Sequence, residues 1–277
     1  GLVRADQPGA PLLVDPRGAT SHPRVWAAGN VIAPYGNVPL SMGSGSMAGA
    51  AVNAALVAED TARAVSARRH ERNAAWEARY AQVDGFWSGR VNATVATVVE
   101  PLPPGRALDV GCGEGGDAVW LAEHGWTVTA VDVSATAVRR ATEAARARGL
   151  GADQVVFAEV DAALDVPEGE FDLVTASFLH SWEQDFPRLQ VLRSAAARVA
   201  PGGQLLVVSH AAPPPWVREL PAEAPIMRAP LEELELLALP PQEWSAELVE
   251  TRERSVVDPD GNPAMLDDGV ILLRRLA

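Results

Sequence analysis

Leu108–Ala122 reads LDVGCGEGGDAVWLA. An apolar strand, RALDVGC, carries the acid Asp109 near its end and runs into a turn holding Gly111, Gly113 and Gly115. The helix GDAVWLAEHG follows, closed by Gly125. Glycines in such a turn let the backbone bend tightly and let a ligand approach without interference from a Cβ. Strand, glycine turn and helix in that order form a loop that binds a nucleotide-like group at the carboxyl edge of a parallel sheet. The dinucleotide pattern G-x-G-x-x-G is the alternative, with its glycines facing a pyrophosphate at a helix N-terminus. Here an acid precedes the first glycine. A carboxylate in that place repels a pyrophosphate and suits a ligand with ammonium and hydroxyl groups.

Two further acids end the next two strands. Asp132 closes TVTAVDV, where a carboxylate can accept both hydroxyls of a ribose. Asp161 closes QVVFAEVD, where it can accept from an exocyclic amine such as adenine's. Either acid alone reads as well as a solvated strand end; joined to the glycine loop they form a set. From residue 100 onward, short apolar strands alternate with helices. Ser134 caps ATAVRRATEAARARG, FDLVTASF is a strand, and the helix FPRLQVLRSAAARVAPGG stops at Pro-Gly before the strand QLLVVSH. Such alternation implies βαβ units, an α/β class and a largely parallel sheet. Residues 211–230 are Pro-rich and loop-like, and LEELELLAL is a short helix. WSAELVETRERSVV and GVILLRRL are long strands joined through DPDGNPAMLDDG, an antiparallel pair at the sheet edge.

On these residues, about 75–277 resembles a class I S-adenosylmethionine-dependent methyltransferase. The resemblance implies a Rossmann-like sheet of order 3-2-1-4-5-7-6 with strand 7 antiparallel. It implies that Asp109, Gly111, Cys112 and Gly113 hold the methionine part, Asp132 and Val133 the ribose, and Asp161 with Ala162 the adenine. Cys112 is read as a small residue in a crowded turn, not as a nucleophile. RYAQVDGFWSGRVN, Arg79–Asn92, resembles the N-terminal cover of small-molecule methyltransferases of the tellurite-resistance and thiopurine type. In that reading Phe86 and Trp87 face the sulfonium and Arg90 pairs with the methionine carboxylate. An ordinary amphipathic helix packing Trp87 on the core is the equal alternative. SFLHSWEQ, Ser177–Gln184, follows the fourth strand, so Ser177 and Phe178 border the methyl group. His180 and His210 are candidate general bases for an acceptor that needs deprotonation. A thiolate or other soft nucleophile needs little beyond proximity and desolvation, so a base is optional. Specificity is expected in residues 211–245, with Trp216 and Met227 as lining residues.

Composition sets the class of partner. The chain has 277 residues, 48% hydrophobic, with a net charge of -13. Its charge is uneven: residues 1–70 carry six Arg and four acids, and the remainder 17 Arg and 32 acids. A body with a net charge of -15 has no electrostatic footprint for nucleic acid, and a small-molecule acceptor is expected. No uninterrupted apolar run is long enough to cross a bilayer, so no membrane partner is expected. No signal-peptide pattern opens the chain, and a single cysteine permits no intrachain disulfide; both fit a cytoplasmic protein. Oligomeric state stays open.

TSHPRVWAAGN, Thr20–Asn30, resembles the C-terminal flavin motif of thioredoxin-reductase-like oxidoreductases, over about residues 1–58. The family's ribityl-binding Asp is Asn30 here. The chain shows no phosphate loop for FAD, no nicotinamide domain and no redox Cys pair, so FAD is not expected to be retained by it alone. The organisation expected is therefore residues 1–58 as an oxidoreductase fragment, 59–74 as a helical linker and 75–277 as a methyltransferase domain. Two rivals stand beside methyl transfer: a methyltransferase half of a larger bifunctional flavin enzyme, and a non-catalytic S-adenosylmethionine-binding module.

Overall fold

The computed structural model describes residues 2–4, 10–181, 186–221, 224 and 226–276. The chain divides into two units, Gly1–His70 and Glu71–Ala277. The division falls inside the stretch 59–74 read as a linker.

The second unit is built on one seven-stranded sheet. Its strands are β1 (Arg106–Val110), β2 (Thr127–Asp132), β3 (Val155–Glu159), β4 (Phe171–Ser177), β5 (Val199–His210), β6 (Trp244–Val257) and β7 (Pro263–Arg275). Their order is β3-β2-β1-β4-β5-β7-β6, with β7 antiparallel to both neighbours and the first five strands parallel, as expected from the sequence. Alternation along the strands divides the core in two. Leu108 and Val110 of β1 join Val174, Ala176, Leu205 and Val207 on one face. Ala107 joins Val128, Ala130, Leu173 and Leu206 on the other. A parallel sheet with both faces apolar needs helices on both sides. Helices α2 (Ala93–Val99) and α3 (Gly116–Glu123) cover the second face, with Ala145 of α4 (Ala135–Ala147). Helices α5 (Arg188–Ala196) and α6 (Pro230–Leu237) cover the first.

Two boundaries differ from the sequence reading. Helix α5 stops at Ala196, and the Pro-Gly pair read as its stop lies inside β5. The β4–β5 pairing is irregular there, jumping from Phe171↔Val199 to Leu173↔Gln204, and a bulge tolerates a proline that has no N–H to donate. The β6–β7 connection is also shorter than expected. Asp258 Oδ1 accepts the N–H groups of Asp260 at 2.9 Å and Asn262 at 2.7 Å, closing the turn within DPDGN. The following PAMLDDG is thus free to extend β7.

In the first unit, isolated bridges pair Arg4↔Leu12 and Ala19↔Trp26. Asn30 Oδ1 accepts the Ser41 hydroxyl at 3.2 Å. Helix α1 (Val38–Gln82) is one unbroken helix of 45 residues. Ala dominates it and no proline follows Pro39, so nothing in its interior forces a break. An 18-residue window of α1 has a mean hydropathy of 1.2, which by length and composition alone suffices to cross a membrane. Scattered Ser, Gly and Asn interrupt its apolar run while leaving the average at that level.

Candidate functional site

The site forms where β1, β2 and β3 end. Gly111 N–H and Cys112 N–H both donate to the Val131 carbonyl, at 2.8 and 2.9 Å, so the glycine turn is stitched to the end of β2. Gly113 has φ +53°, and a Cβ there would stand 3.0 Å from the Tyr80 hydroxyl and 3.3 Å from the Trp87 ring. The turn is therefore approached closely by the segment that precedes the sheet. A cavity of about 1200 Å³ opens in front of it. Ligand pockets generally run roughly 300–1,000 Å³, so this volume has room for a cofactor and a second reactant.

The three strand-end acids all line this cavity. Asp109 is buried; its Oδ1 accepts the Thr175 hydroxyl at 2.8 Å, and its Oδ2 has no hydrogen-bond partner among the described residues. Burial pushes its pKa well above the ordinary carboxylate range, with the neighbouring Asp117 charge adding to the shift. Asp132 accepts Gly113 N–H at 2.9 Å and Ser134 N–H at 3.0 Å. Burial raises its pKa too, and those two N–H groups oppose the rise. Asp161 accepts Ala163 N–H at 3.0 Å and the Asn73 amide at 2.9 Å, with Arg72 Nη2 at 3.7 Å.

Gly111, Cys112, Val133 and Ala162 lie in the same wall, and so do Ser177, Phe178, His180 and His210 at the ends of β4 and β5. Phe178 sits in the left-handed region at φ +50°, an uncommon conformation for a bulky residue. Its ring packs against His210 with centroids 4.5 Å apart, and His180 stands 6.0 Å from His210. Burial lowers both histidine pKa values, that of His180 to about 4. His210 Nδ1 is buried without a hydrogen-bond partner among the described residues. Both rings are neutral near pH 7. Arg254, close by, is neutralised by the fully buried Asp268 at 2.6 Å.

The cover segment is held by a group that sequence reasoning left without a role. Glu114, inside the glycine turn, accepts the backbone N–H of Phe86 at 3.1 Å and of Trp87 at 2.8 Å, and pairs with Arg140 at 2.8 Å. Trp87 lines the cavity and its Nε1–H donates to the Tyr80 hydroxyl at 3.1 Å; Phe86 is not part of the wall. Arg90 lines the cavity as well. Its exposed guanidinium pairs with no carboxylate among the described residues. The C-terminal turns of α1 supply Arg72, Asn73, Trp76 and Tyr80 to the wall, and Glu77 accepts the hydroxyls of Ser134 and Thr136 at the start of α4. The signal for these was faint: they are scattered among other polar residues and alanines with no apolar stripe to mark a buried face.

The structure does not bring two candidates in. Trp216 and Met227 are half-buried and stand outside the cavity wall formed by the described residues. The last residues of SFLHSWEQ, Trp182–Gln184, lie outside the described residues.

Comparison with known proteins agrees with this geometry. A family model described as a methyltransferase domain matches residues 79–251. Ribosomal RNA small subunit methyltransferase C of Alcanivorax borkumensis is 36% identical over 150 residues, 49% of this chain and 41% of the relative. Nocamycin O-methyltransferase of Saccharothrix syringae is 35% identical over 126 residues, 44% of this chain and 43% of the relative. The match thus spans about two-fifths of these relatives' own length. A structure solved in a study of the conversion of a disulfide bond into a thioacetal group during echinomycin biosynthesis covers 73% of this chain and 91% of its own. It is 26% identical, with a TM-score of 0.56.

Proposed function

This chain belongs to the methyltransferase domain family, and from that premise we propose that it methylates a small-molecule acceptor from S-adenosylmethionine by in-line displacement, yielding S-adenosylhomocysteine. The observation that carries this reading is the convergence of Asp109, Asp132 and Asp161 on one cavity around the glycine turn. The donor set fits the cofactor. Asp109 offers an unpartnered buried oxygen to an ammonium group, and the unpaired Arg90 offers a fork to a carboxylate. Asp132 suits the ribose hydroxyls beside Val133, and Asp161 with Ala162 forms the corner for adenine.

When bound, S-adenosylmethionine supplies an electrophilic methyl group on a sulfonium. The chain's residues do the rest. Trp87 and the Tyr80 hydroxyl stand beside the glycine turn, in the wall where the sulfonium would lie. Ser177 and Phe178 border the approach to the methyl group. His210, its pKa lowered by burial and its Nδ1 without a hydrogen-bond partner among the described residues, accepts the proton of a hydroxyl or thiol acceptor, and His180 is the alternative base.

The charge of Glu71–Ala277, 17 Arg against 32 acids, supports a small molecule over a phosphate backbone. An RNA acceptor is the second reading, favoured by the Alcanivorax relative. Incubating the chain with S-adenosylmethionine and a panel of thiols, hydroxyls, amines, chalcogen oxyanions and ribosomal RNA tests both. Product S-adenosylhomocysteine with a small acceptor supports the first reading, product with RNA the second, and none with any acceptor supports a binding module. We further propose that residues 1–58 derive from an FAD oxidoreductase and retain no flavin by themselves. The Thr20–Asn30 motif supports the first part, and the absence of an FAD phosphate loop in this chain supports the second. A yellow purified protein would contradict it.

A further inference from the structure

The cavity wall at Asp161 contains an amide with one end satisfied and the other not. Asn73 Nδ2 donates to Asp161 Oδ2 at 2.9 Å. Its Oδ1 is buried and has no hydrogen-bond partner among the described residues. The direction of the amide is dictated by chemistry: an ionised carboxylate only accepts, so the NH₂ end must face Asp161. Arg72, itself buried, stands 3.7 Å from the same carboxylate with its guanidinium 5.4 Å over the Phe186 ring. The two oxygens of Asp161 thus each have a donor, from Asn73 on one side and Ala163 N–H at 3.0 Å on the other. The acceptor still waiting for a donor at this corner is Asn73 Oδ1. A buried polar atom without a partner in a folded protein calls for a missing ligand or water.

We propose that Asn73 is the residue that reads the exocyclic amine of the cofactor's adenine, its Oδ1 accepting an amine hydrogen, and that Asp161 is a positioning residue that fixes the amide's direction. The inference rests on the S-adenosylmethionine reading above and deepens it. It moves adenine specificity from the sheet edge to the last turns of α1.

Calorimetric binding of S-adenosylhomocysteine and its deaminated 6-oxo counterpart, S-inosylhomocysteine, to the full chain tests it. The 6-oxo ring puts an acceptor where the amine was, opposite another acceptor. The wild-type chain is expected to prefer the adenine form by about tenfold or more. Asn73→Ala, which suits a helix, is expected to weaken the adenine form about tenfold and leave the 6-oxo form unchanged or tighter, erasing the preference. Asp161→Asn frees the amide to turn and is expected to shrink the preference while Asn73 remains. A preference that survives Asn73→Ala, or a wild-type chain with none, overturns the inference and leaves the cofactor reading standing. A wild-type chain that binds neither nucleoside overturns both.

Discussion

Glu114 Oε2 accepts the backbone N–H of Trp87 at 2.8 Å, so an acid of the glycine turn grips the segment that covers it. The other oxygen takes Phe86 N–H and the Arg140 guanidinium, and Arg140 in turn donates to the Val83 carbonyl at 2.8 Å. Hydrogen bonds to a charged partner are worth roughly 1.5–3 kcal/mol each. Glu114→Ala is expected to weaken S-adenosylmethionine binding about tenfold or more and to speed tryptic cleavage after Arg90. Unchanged proteolysis would mean the cover does not depend on this grip.

The glycines of the turn are expected to fail in different ways. At Gly115, with φ +83°, a Cβ would stand 2.8 Å from Ala141 Cβ and 3.0 Å from the Phe157 ring, both in the core. Gly115→Ala is expected to destabilise by about 2–4 kcal/mol, the sum of overpacking and left-handed strain. At Gly113 the added Cβ meets Tyr80 and Trp87 of the cover instead. Gly113→Ala is expected to lower the melting temperature less and the cofactor affinity more. Thermal unfolding and calorimetry on both variants check the contrast.

These relations also show what was legible before the structure. The turn, its flanking strands and the three acids lie within short stretches of sequence, and their spacing follows from local geometry. The alternation of strands and helices was legible for the same reason, whereas the sheet order followed from the resemblance to class I methyltransferases and the β6–β7 turn is tighter than its sequence suggested. The contribution of α1 was not. Asn73 meets Asp161 across 88 positions, and Glu77 meets Ser134 and Thr136 across nearly 60, with no periodic apolar stripe on that helix to announce a buried face. Trp216 and Met227 were chosen for their chemistry in a Pro-rich stretch, where no periodicity fixes which way a side chain points. Phe178 and the two histidines, anchored at strand ends, were legible.

Binding of the cofactor's ammonium is expected to release a proton from the chain. Burial holds the Asp109 pKa above its ordinary value of 3.8. Between 3.8 and that raised value the folded protein keeps a proton that the unfolded chain has lost. The group's contribution to stability therefore declines as pH rises through the window. A cationic ligand favours the ionised carboxylate, so affinity is expected to rise with pH over the same window. Calorimetry in buffers of different ionisation enthalpy reads the proton directly, and no buffer dependence would contradict the assignment.

The two histidines shift the other way. Their pKa values lie below the ordinary 6.5, that of His180 at about 4. For His180, between about 4 and 6.5 the unfolded chain binds more protons, so its contribution to stability is full above 6.5 and is lost as pH falls through the folded value; His210 shifts in the same direction. Turnover is accordingly expected to hold from neutral pH well into the acid range. His210→Ala is expected to lower kcat for a hydroxyl acceptor by roughly 10²–10⁴ with a smaller change in KM. An equal kcat in wild type and variant would remove His210 from the proton transfer.

The central claim is that the acids around the glycine turn hold S-adenosylmethionine, and calorimetric titration of that cofactor into the wild-type chain and Asp132→Ala tests it most directly. Asp132 both offers its carboxylate to the ribose and fixes Gly113 and Ser134 through their N–H groups. The account expects binding in the micromolar range by the wild type and a loss of about a hundredfold or more in the variant. A wild-type chain that takes up no cofactor, or a variant that binds as well as the wild type, would contradict it.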